Sequence, residues 1–424
     1  MRVIGIIAEF NPFHSGHEYL IQKARETVAD PRAIVMPLIS GPFTQRGLPA
    51  LLPSQIRARQ ALSCGADLVL ELPFTFACAP SSRFAFGGIS ELISTGVVTD
   101  IAFGIDSGNP GILKELAKTD LEASGEYREA FREGLDSGLS YPAARAKAIG
   151  AAAGPEAEEA VSGPNSILAL EYLAALNRID KNGRINVIMI ERRGGGYSST
   201  DANVTLPGAA AIRNKLICEC APDYRQSAVA SSLAGSMPDS SLSVMLARSG
   251  REFDYIDYGK YLRGALSSVL SSDSADSYAY MGDSLSGYLK NIASDIRPGN
   301  LPSDDYDGKV FEKRVATKRY TMTRIERALA SCVTGQNEED IKTLARPLYV
   351  RVLGFGREGR YCLKIMRKCA KVPVITNPSD ALELYSSSPE LARMHGLDMS
   401  AASVYWELAG QDTAHEWEMS PVQV

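Results

Sequence analysis
The stretch Val3-Ile4-Gly5-Ile6-Ile7-Ala8-Glu9-Phe10-Asn11-Pro12-Phe13-His14-Ser15-Gly16-His17-Glu18-Tyr19-Leu20 decides the fold. Val3–Ala8 is a short, continuous apolar run, the pattern of a strand buried on both faces. Pro12 has no ladder donor and biases Asn11 away from helix, so the chain turns there. From Gly16 to Ala29, apolar Tyr19, Leu20 and Ala24 recur at helical spacing among charges. His14 and His17 stand three apart across that helix start, so both imidazoles can face one site. Gly16 lets an anion approach the backbone, where the orphan N–H groups and the positive dipole end favour it. Two imidazoles there can donate to phosphate oxygens as charge grows on phosphorus. A loop histidine capping its own turn and a half-buried helical histidine are the plain alternatives. The coincidence of strand, turn, HxGH and helix favours a phosphate site.

Outward from this stretch, strands are predicted at Ala33–Ile39, Asp67–Leu72, Asp100–Gly104 and Ile185–Ile190. Helices are predicted at Pro53–Cys64 and Ser81–Thr95, and residues 111–183 are rich in Ala, Glu, Lys and Leu. Such alternation gives an α/β fold, a Rossmann-like doubly wound parallel sheet with its ligand at the carboxyl ends of the strands. The chain has 424 residues, more than one core usually holds. A catalytic domain is therefore expected at 1–200 and a mostly helical region at 201–424. Ser-rich stretches at 227–243 and 267–287 are interleaved with apolar residues and read as helices with polar faces. Pro373–Asn377 is a candidate short strand.

Hydrophobic residues make up 45% and charged residues 22%, which excludes a wholly disordered chain. No apolar run reaches ~18 residues, so no membrane span is expected. The N-terminal apolar run is too short for a signal peptide, and the expected location is cytoplasmic. The net charge of −5 excludes a globally basic coat but leaves room for a local basic face. The seven cysteines are odd in number and lack paired CxxC spacing, so neither a disulfide framework nor a protein-held metal site is expected.

Further segments narrow the function. They are Ser40-Gly41-Pro42-Phe43-Thr44-Gln45-Arg46-Gly47, the run from Arg57 to Pro73, Gly163-Pro164-Asn165, Glu191-Arg192-Arg193-Gly194-Gly195-Gly196-Tyr197 and Ala209-Ala210-Ala211-Ile212-Arg213. With Thr317-Lys318-Arg319-Tyr320-Thr321 and Arg351-Val352-Leu353-Gly354-Phe355, they resemble, in order and over nearly the whole chain, the bacterial tRNA(Met) cytidine acetate ligase family. That family lies within the HxGH nucleotidyltransferase superfamily. The resemblance implies that ATP, with Mg²⁺, activates acetate as acetyl-adenylate and releases pyrophosphate. The acetyl group then passes to the wobble cytidine of elongator tRNA(Met) as N4-acetylcytidine. Carried over by motif, the ATP site comprises Ile7, Ala8, Glu9, Phe10, Asn11, Pro12, Phe13, His14, Ser15, Gly16, His17, Glu18, Tyr19, Leu20, Gly104, Asn165, Arg192 and Arg193. His14 and His17 are the catalytic pair. Arg46 stands where it could meet a phosphate or the substrate carboxylate. The sequence departs from the family pattern at Leu48, Ser54 and Ile105-Asp106, where an acid, a lysine and Ser-Glu are usual.

A tRNA partner needs basic surface. Between residues 309 and 327, Lys309, Lys313, Arg314, Lys318, Arg319, Arg324 and Arg327 face only Glu312 and Glu326. Of these, Lys313, Arg314, Lys318, Arg319, Arg324 and Arg327 are the candidate tRNA contacts. Residues 342–371 carry nine cations against Glu358, with Tyr349, Phe355 and Tyr361 interleaved. Aromatic residues in such a surface, Tyr320 included, could stack on unpaired bases. Two other functions stay open from sequence: a small-molecule nucleotidyltransferase, and a non-catalytic RNA-binding factor with a relict nucleotide site.

Overall fold
The computed structural model describes residues 1–106, 109–192, 207–247, 255–296 and 302–424. Its centre is one sheet of eight strands: β1 (Val3–Ala8), β2 (Ile34–Ser40), β3 (Leu68–Leu72), β4 (Asp100–Ile105), β5 (Asn186–Glu191), β6 (Val350–Phe355), β7 (Val374–Ile375) and β8 (Val422–Gln423). The order is β5-β4-β1-β2-β3-β6-β7, with β8 also paired to β6. Strands β1 to β5 run parallel to one another, as the sequence predicts. The chain order reverses around β1, between β2 and β4, which puts the switch point beside the HxGH turn.

Successive residues of β1 point to opposite faces, and the core divides accordingly. Val3 and Ile7 join one apolar cluster with Met36, Leu38, Leu68 and Leu70. Ile4 and Ile6 join a second with Val35, Ile39, Val69 and Ile188. Helices cover both faces, so the central strands are apolar at nearly every position. Gly5 is closely packed, since a Cβ there would lie 2.8 Å from the tip of the buried Leu92 side chain, which would have to shift.

The Ser-rich stretches are helical in part, at Gln226–Leu233, Asp239–Leu246, Tyr258–Ser271 and Leu285–Asp295. A third apolar cluster joins this region to the loop after β2, bringing Leu51 and Leu52 against Ile212, Leu216, Tyr258 and Trp406. The candidate strand at 373–377 is present as β7. One expectation fails: residues 350–355, expected within a helical region, form β6 antiparallel to β3. The reason is electrostatic as well as steric. Arg351 is buried between Glu71 of β3 and Glu416, with Arg351 Nη1 3.2 Å from Glu71 Oε1. A cation at the second position of the segment V-R-V-L-G-F masks its strand character until both carboxylates are brought to it.

Candidate active site
After β1 the chain turns sharply, with Phe10 at a left-handed φ of 49°. Arg57 holds the turn. It is fully buried and donates to the carbonyls of Leu52 (3.0 Å), Glu9 (2.7 Å), Ser40 (2.9 Å) and Gly41. One planar guanidinium thus ties the ends of β1 and β2 together. The Glu9 carboxylate accepts from the Gln45 N–H at 2.7 Å, and Asn11 Oδ1 accepts from the Leu51 N–H at 2.8 Å.

The helix Ser15–Val28 starts at His14, whose backbone is extended. His14 Nδ1 accepts from the Gly16 N–H at 3.0 Å, and His17 Nδ1 accepts from the His14 N–H at 3.2 Å. Each histidine therefore caps the helix with one nitrogen. In the neutral ring an accepting Nδ1 leaves the proton on Nε2. The two rings lie 3.8 Å apart at 32°, and Phe10 packs edge-on to His17 at 4.8 Å. Burial, reinforced by Arg192 and Arg213, pushes the His14 imidazole down to about 3. Burial and the neighbouring His14 hold His17 well below its ordinary value as well. Two neutral Nε2–H donors result, set at a helix N-terminus. Such donors stabilise growing negative charge without first losing a proton.

Both histidines line a cavity of about 410 Å³ at the carboxyl ends of β1, β4 and β5. Gly104 forms part of its wall, and a Cβ there would approach Arg192 Cγ to 3.3 Å. Asp106 caps the helix Pro164–Ile179, accepting from the Asn165 N–H at 2.7 Å and the Ser166 N–H at 3.2 Å. It also accepts from the Asn165 side-chain amide at 2.5 Å. The cap is thus supplied by Asp106, just beyond β4, and Asn165 forms part of the cavity wall.

Of the sequence-predicted nucleotide residues, Ile7, Ala8, Glu9, Phe10, Asn11, His14, Gly16, His17, Tyr19, Leu20, Gly104, Asn165 and Arg192 line the cavity. Pro12, Phe13, Ser15 and Glu18 do not. Phe13 is buried beneath the site, its ring 5.5 Å from that of His17. Arg193 lies outside the described residues. Arg46 lines it as well, and the structure adds Arg213, Tyr258 and the residues Gly208, Ala209 and Ala210 to the lining. Gly208 offers no side-chain cap to the helix Ala209–Cys220, so its N-terminal dipole faces the cavity. Arg213 of that helix donates to the Asn11 carbonyl at 2.6 Å. The segment Ala209–Arg213 carries a family resemblance, but nothing local in it marks a cavity-lining arginine. Among the described residues, no group of three or more His, Cys, Asp or Glu could hold a metal ion.

The family described as HIGH Nucleotidyl Transferase matches residues 1–419. A protein of Acetivibrio thermocellus named tRNA(Met) cytidine acetate ligase is 31% identical over 413 residues, covering 96% of this chain and 94% of that one. One of the same name from Fervidobacterium nodosum is 31% identical over 422 residues, covering 99% and 92%. The chain belongs to the tRNA(Met) cytidine acetate ligase family. The apo crystal structure of Thermotoga maritima TmcAL matches it with a TM-score of 0.84 at 30% identity, covering 100% of both chains. The structure of that protein bound with alpha-thio ATP matches with a TM-score of 0.81.

Within this member of the tRNA(Met) cytidine acetate ligase family, the departures from the pattern have distinct settings. Leu48 lines the cavity, whereas Ser54 is buried at the start of the helix Ser54–Ser63 and donates to its neighbour Gln55 at 3.2 Å. Asp106 serves as the helix cap described above. The candidate tRNA contacts also divide. Lys313, Arg314, Lys318 and Arg319 are exposed. Arg324 is paired with Asp283 at 3.0 Å. Arg327 is drawn largely inside, its Nε buried without a partner, so it offers little to a surface ligand. Tyr320 and Tyr349 are core residues whose hydroxyls donate to the Asp283 carbonyl (2.6 Å) and the Asp398 carboxylate. They are not free to stack on bases, whereas Tyr361 is 60% exposed.

Proposed function
We propose that this chain is an ATP-dependent acetate ligase that forms N4-acetylcytidine at the wobble position of elongator tRNA(Met). The observation that carries the reading is the facing pair of Nε2–H imidazoles, at a helix N-terminus inside a cavity that also holds Arg192 and Arg213. This is the donor set a triphosphate needs. The names and ATP-analogue complex of the relatives support the same reading.

In the first step an acetate oxygen attacks the α-phosphorus of ATP. The bond from that phosphorus to the bridging oxygen breaks, and pyrophosphate leaves with the electron pair. His14 and His17 donate to the phosphate oxygens as charge builds on them. Arg192, Arg213 and the helix N-terminus at Gly208–Ala210 balance the leaving pyrophosphate. The cavity-lining residues from Ile7 to Leu20, with Gly104 and Asn165, hold the nucleotide, and Arg46 supplies a cation for the carboxylate. Catalysis rests on positioning and fixed donors. In the second step the cytidine N4 attacks the acetyl carbonyl of the adenylate, AMP departs, and N4 loses a proton. Magnesium would arrive on the triphosphate, whose oxygens suit a hard cation, since the described residues offer no carboxylate cluster for it. Lys313, Arg314, Lys318 and Arg319 form the surface proposed to meet the tRNA.

The test is incubation of the protein with ATP, Mg²⁺, acetate and unmodified elongator tRNA(Met), followed by digestion and mass spectrometry. Acetylcytidine that requires both ATP and acetate is the expected product. Pyrophosphate release without acetate dependence would favour a small-molecule nucleotidyltransferase, and no release would favour a non-catalytic RNA-binding factor.

A further inference from the structure
The helix Arg357–Cys369 sorts its side chains cleanly. Gly359, Cys362, Leu363 and Met366 are buried against the sheet. Arg357, Arg360, Lys364, Arg367 and Lys368 are exposed, together with Lys371 just beyond the helix end. The five cations of the helix recur three and four apart, so they share one face. The exposed Tyr361 lies on that face as well. Glu358, the one acid of the helix, falls outside the repeat.

None of these six cations forms an ion pair among the described residues. Arg360 donates to Gln423 Oε1 at 2.7 Å and Arg367 to Thr376 Oγ1 at 3.4 Å, both neutral acceptors. The surface around 309–327 is compensated in part, with Lys309 paired to Asp307 and Arg324 to Asp283, while Lys313, Arg314, Lys318 and Arg319 form no ion pair among the described residues. A protein of net charge −5 thus keeps an uncompensated cationic stripe, about 20 Å long for a helix of this length.

Its position separates it from the active site. The Gly356 N–H donates to the Asp67 carbonyl at 2.9 Å, just before β3 begins. The Lys371 N–H donates to the Ser94 carbonyl at 2.8 Å, just before the turn into β4. The helix therefore runs along the edge where strands start, while the cavity lies where they finish. The two are separated by the length of the strands, about 20 Å at 3.3 Å per residue.

We infer that the exposed face of Arg357–Cys369, with Lys371, is a docking surface for an RNA backbone: the helical part of the substrate tRNA distant from the reacting base. The inference rests on the acetate-ligase reading. A rigid row of unpaired cations matches the regular charge of a duplex backbone, and Tyr361 can pack on a ribose or an unpaired base. A ligand that reaches both this face and the cavity must be long and polyanionic, as a folded tRNA is and a mononucleotide is not. Because the face reads charge and shape, it adds affinity and orientation, with the choice of base left to the cavity.

The test compares full-length elongator tRNA(Met) with its isolated anticodon stem-loop, using wild type and the double variant Lys364→Glu/Lys368→Glu. Both lysines are exposed and take part in no ion pair among the described residues, so no side-chain contact of the fold is lost with their charge. Acetate-dependent ATP–pyrophosphate exchange, expected unchanged, reports that the variant is folded. Wild type is expected to bind full-length tRNA at least tenfold more tightly than the stem-loop. The variant is expected to lose that advantage and to show a shallower dependence of affinity on salt, by about 0.7–0.9 in log–log slope for each contact removed. Equal preference for full-length tRNA in wild type and variant would overturn the inference. So would loss of binding to a polyglutamate probe with tRNA preference retained, which would assign the face to an acidic protein. If wild type acetylates neither RNA, the acetate-ligase reading itself fails, and the two failures are thereby distinguished.

Discussion
His14 serves the structure and the chemistry with different ring nitrogens, and one substitution separates them. Nδ1 accepts from the Gly16 N–H at 3.0 Å and caps the helix Ser15–Val28. Nε2–H is left to donate into the cavity. Asn is among the best N-cap residues, and its Oδ1 can take over the bond to Gly16, but it has no atom that reaches where Nε2 stands. His14→Asn is therefore expected to keep its stability to within a few tenths of a kcal/mol. His14→Ala loses the cap as well, at about 1 kcal/mol. Removal of one fixed donor to developing charge costs about 2.7–4 kcal/mol of transition-state stabilisation, or roughly 100- to 1,000-fold in rate. Both variants should therefore be slow by that factor in acetate-dependent ATP–pyrophosphate exchange, while only His14→Ala shows a lower urea midpoint. If His14→Asn exchanged pyrophosphate within about threefold of wild type, the assignment of Nε2 as a phosphate donor would be wrong. His14 would then be a helix cap alone.

Other outcomes follow from the same geometry. Arg57→Lys keeps the charge but cannot serve all four carbonyls; with charge-assisted bonds worth ~1.5–3 kcal/mol each, two lost bonds predict about 3–6 kcal/mol of destabilisation by denaturant titration. A loss below about 1 kcal/mol would mean that Arg57 does not hold the HxGH turn. Arg213→Ala should raise KM for ATP about 10- to 100-fold, the value of one such bond, and an unchanged KM would remove Arg213 from the phosphate site. The pH dependence has a definite sign. Both histidines titrate lower in the folded chain than the ~6.5 of an unfolded one, so the folded state binds fewer protons. Their contribution to stability is complete above about pH 6.5 and is lost progressively as the pH falls towards the folded values, about 3 for His14. Urea midpoints measured between about pH 7 and 5 should fall more steeply for wild type than for His14→Asn/His17→Asn, and equal slopes would contradict the buried, neutral assignment.

Much of the parallel part of the sheet is legible in the order of its residues. Strands β1 to β4 are short, mostly apolar runs whose meaning is local, because a strand buried on both faces needs apolar residues at nearly every position, and the edge strand β5 keeps that pattern in its middle. The HxGH segment is legible for a similar reason, since a turn, a glycine and two histidines at a helix start carry their geometry in their spacing. Strand β6 is not. Its Arg351 pairs with Glu71, 280 residues earlier, and without that partner the charge argues against burial. The aromatic residues mislead as well. Tyr320 and Tyr349 stand among cations in sequence yet are buried, because charge patterning records neighbours along the chain and not depth.

The sequence by itself therefore determines the apolar strands, the HxGH turn and the placing of two histidines at a helix start, all carried by patterns within a few residues. Tertiary structure alone decides that both rings are neutral, since that depends on desolvation and on Arg192, with Arg213 acting on His14 as well, brought from distant segments. It also decides which cations remain unpaired at the surface, because pairing depends on what the fold places within reach.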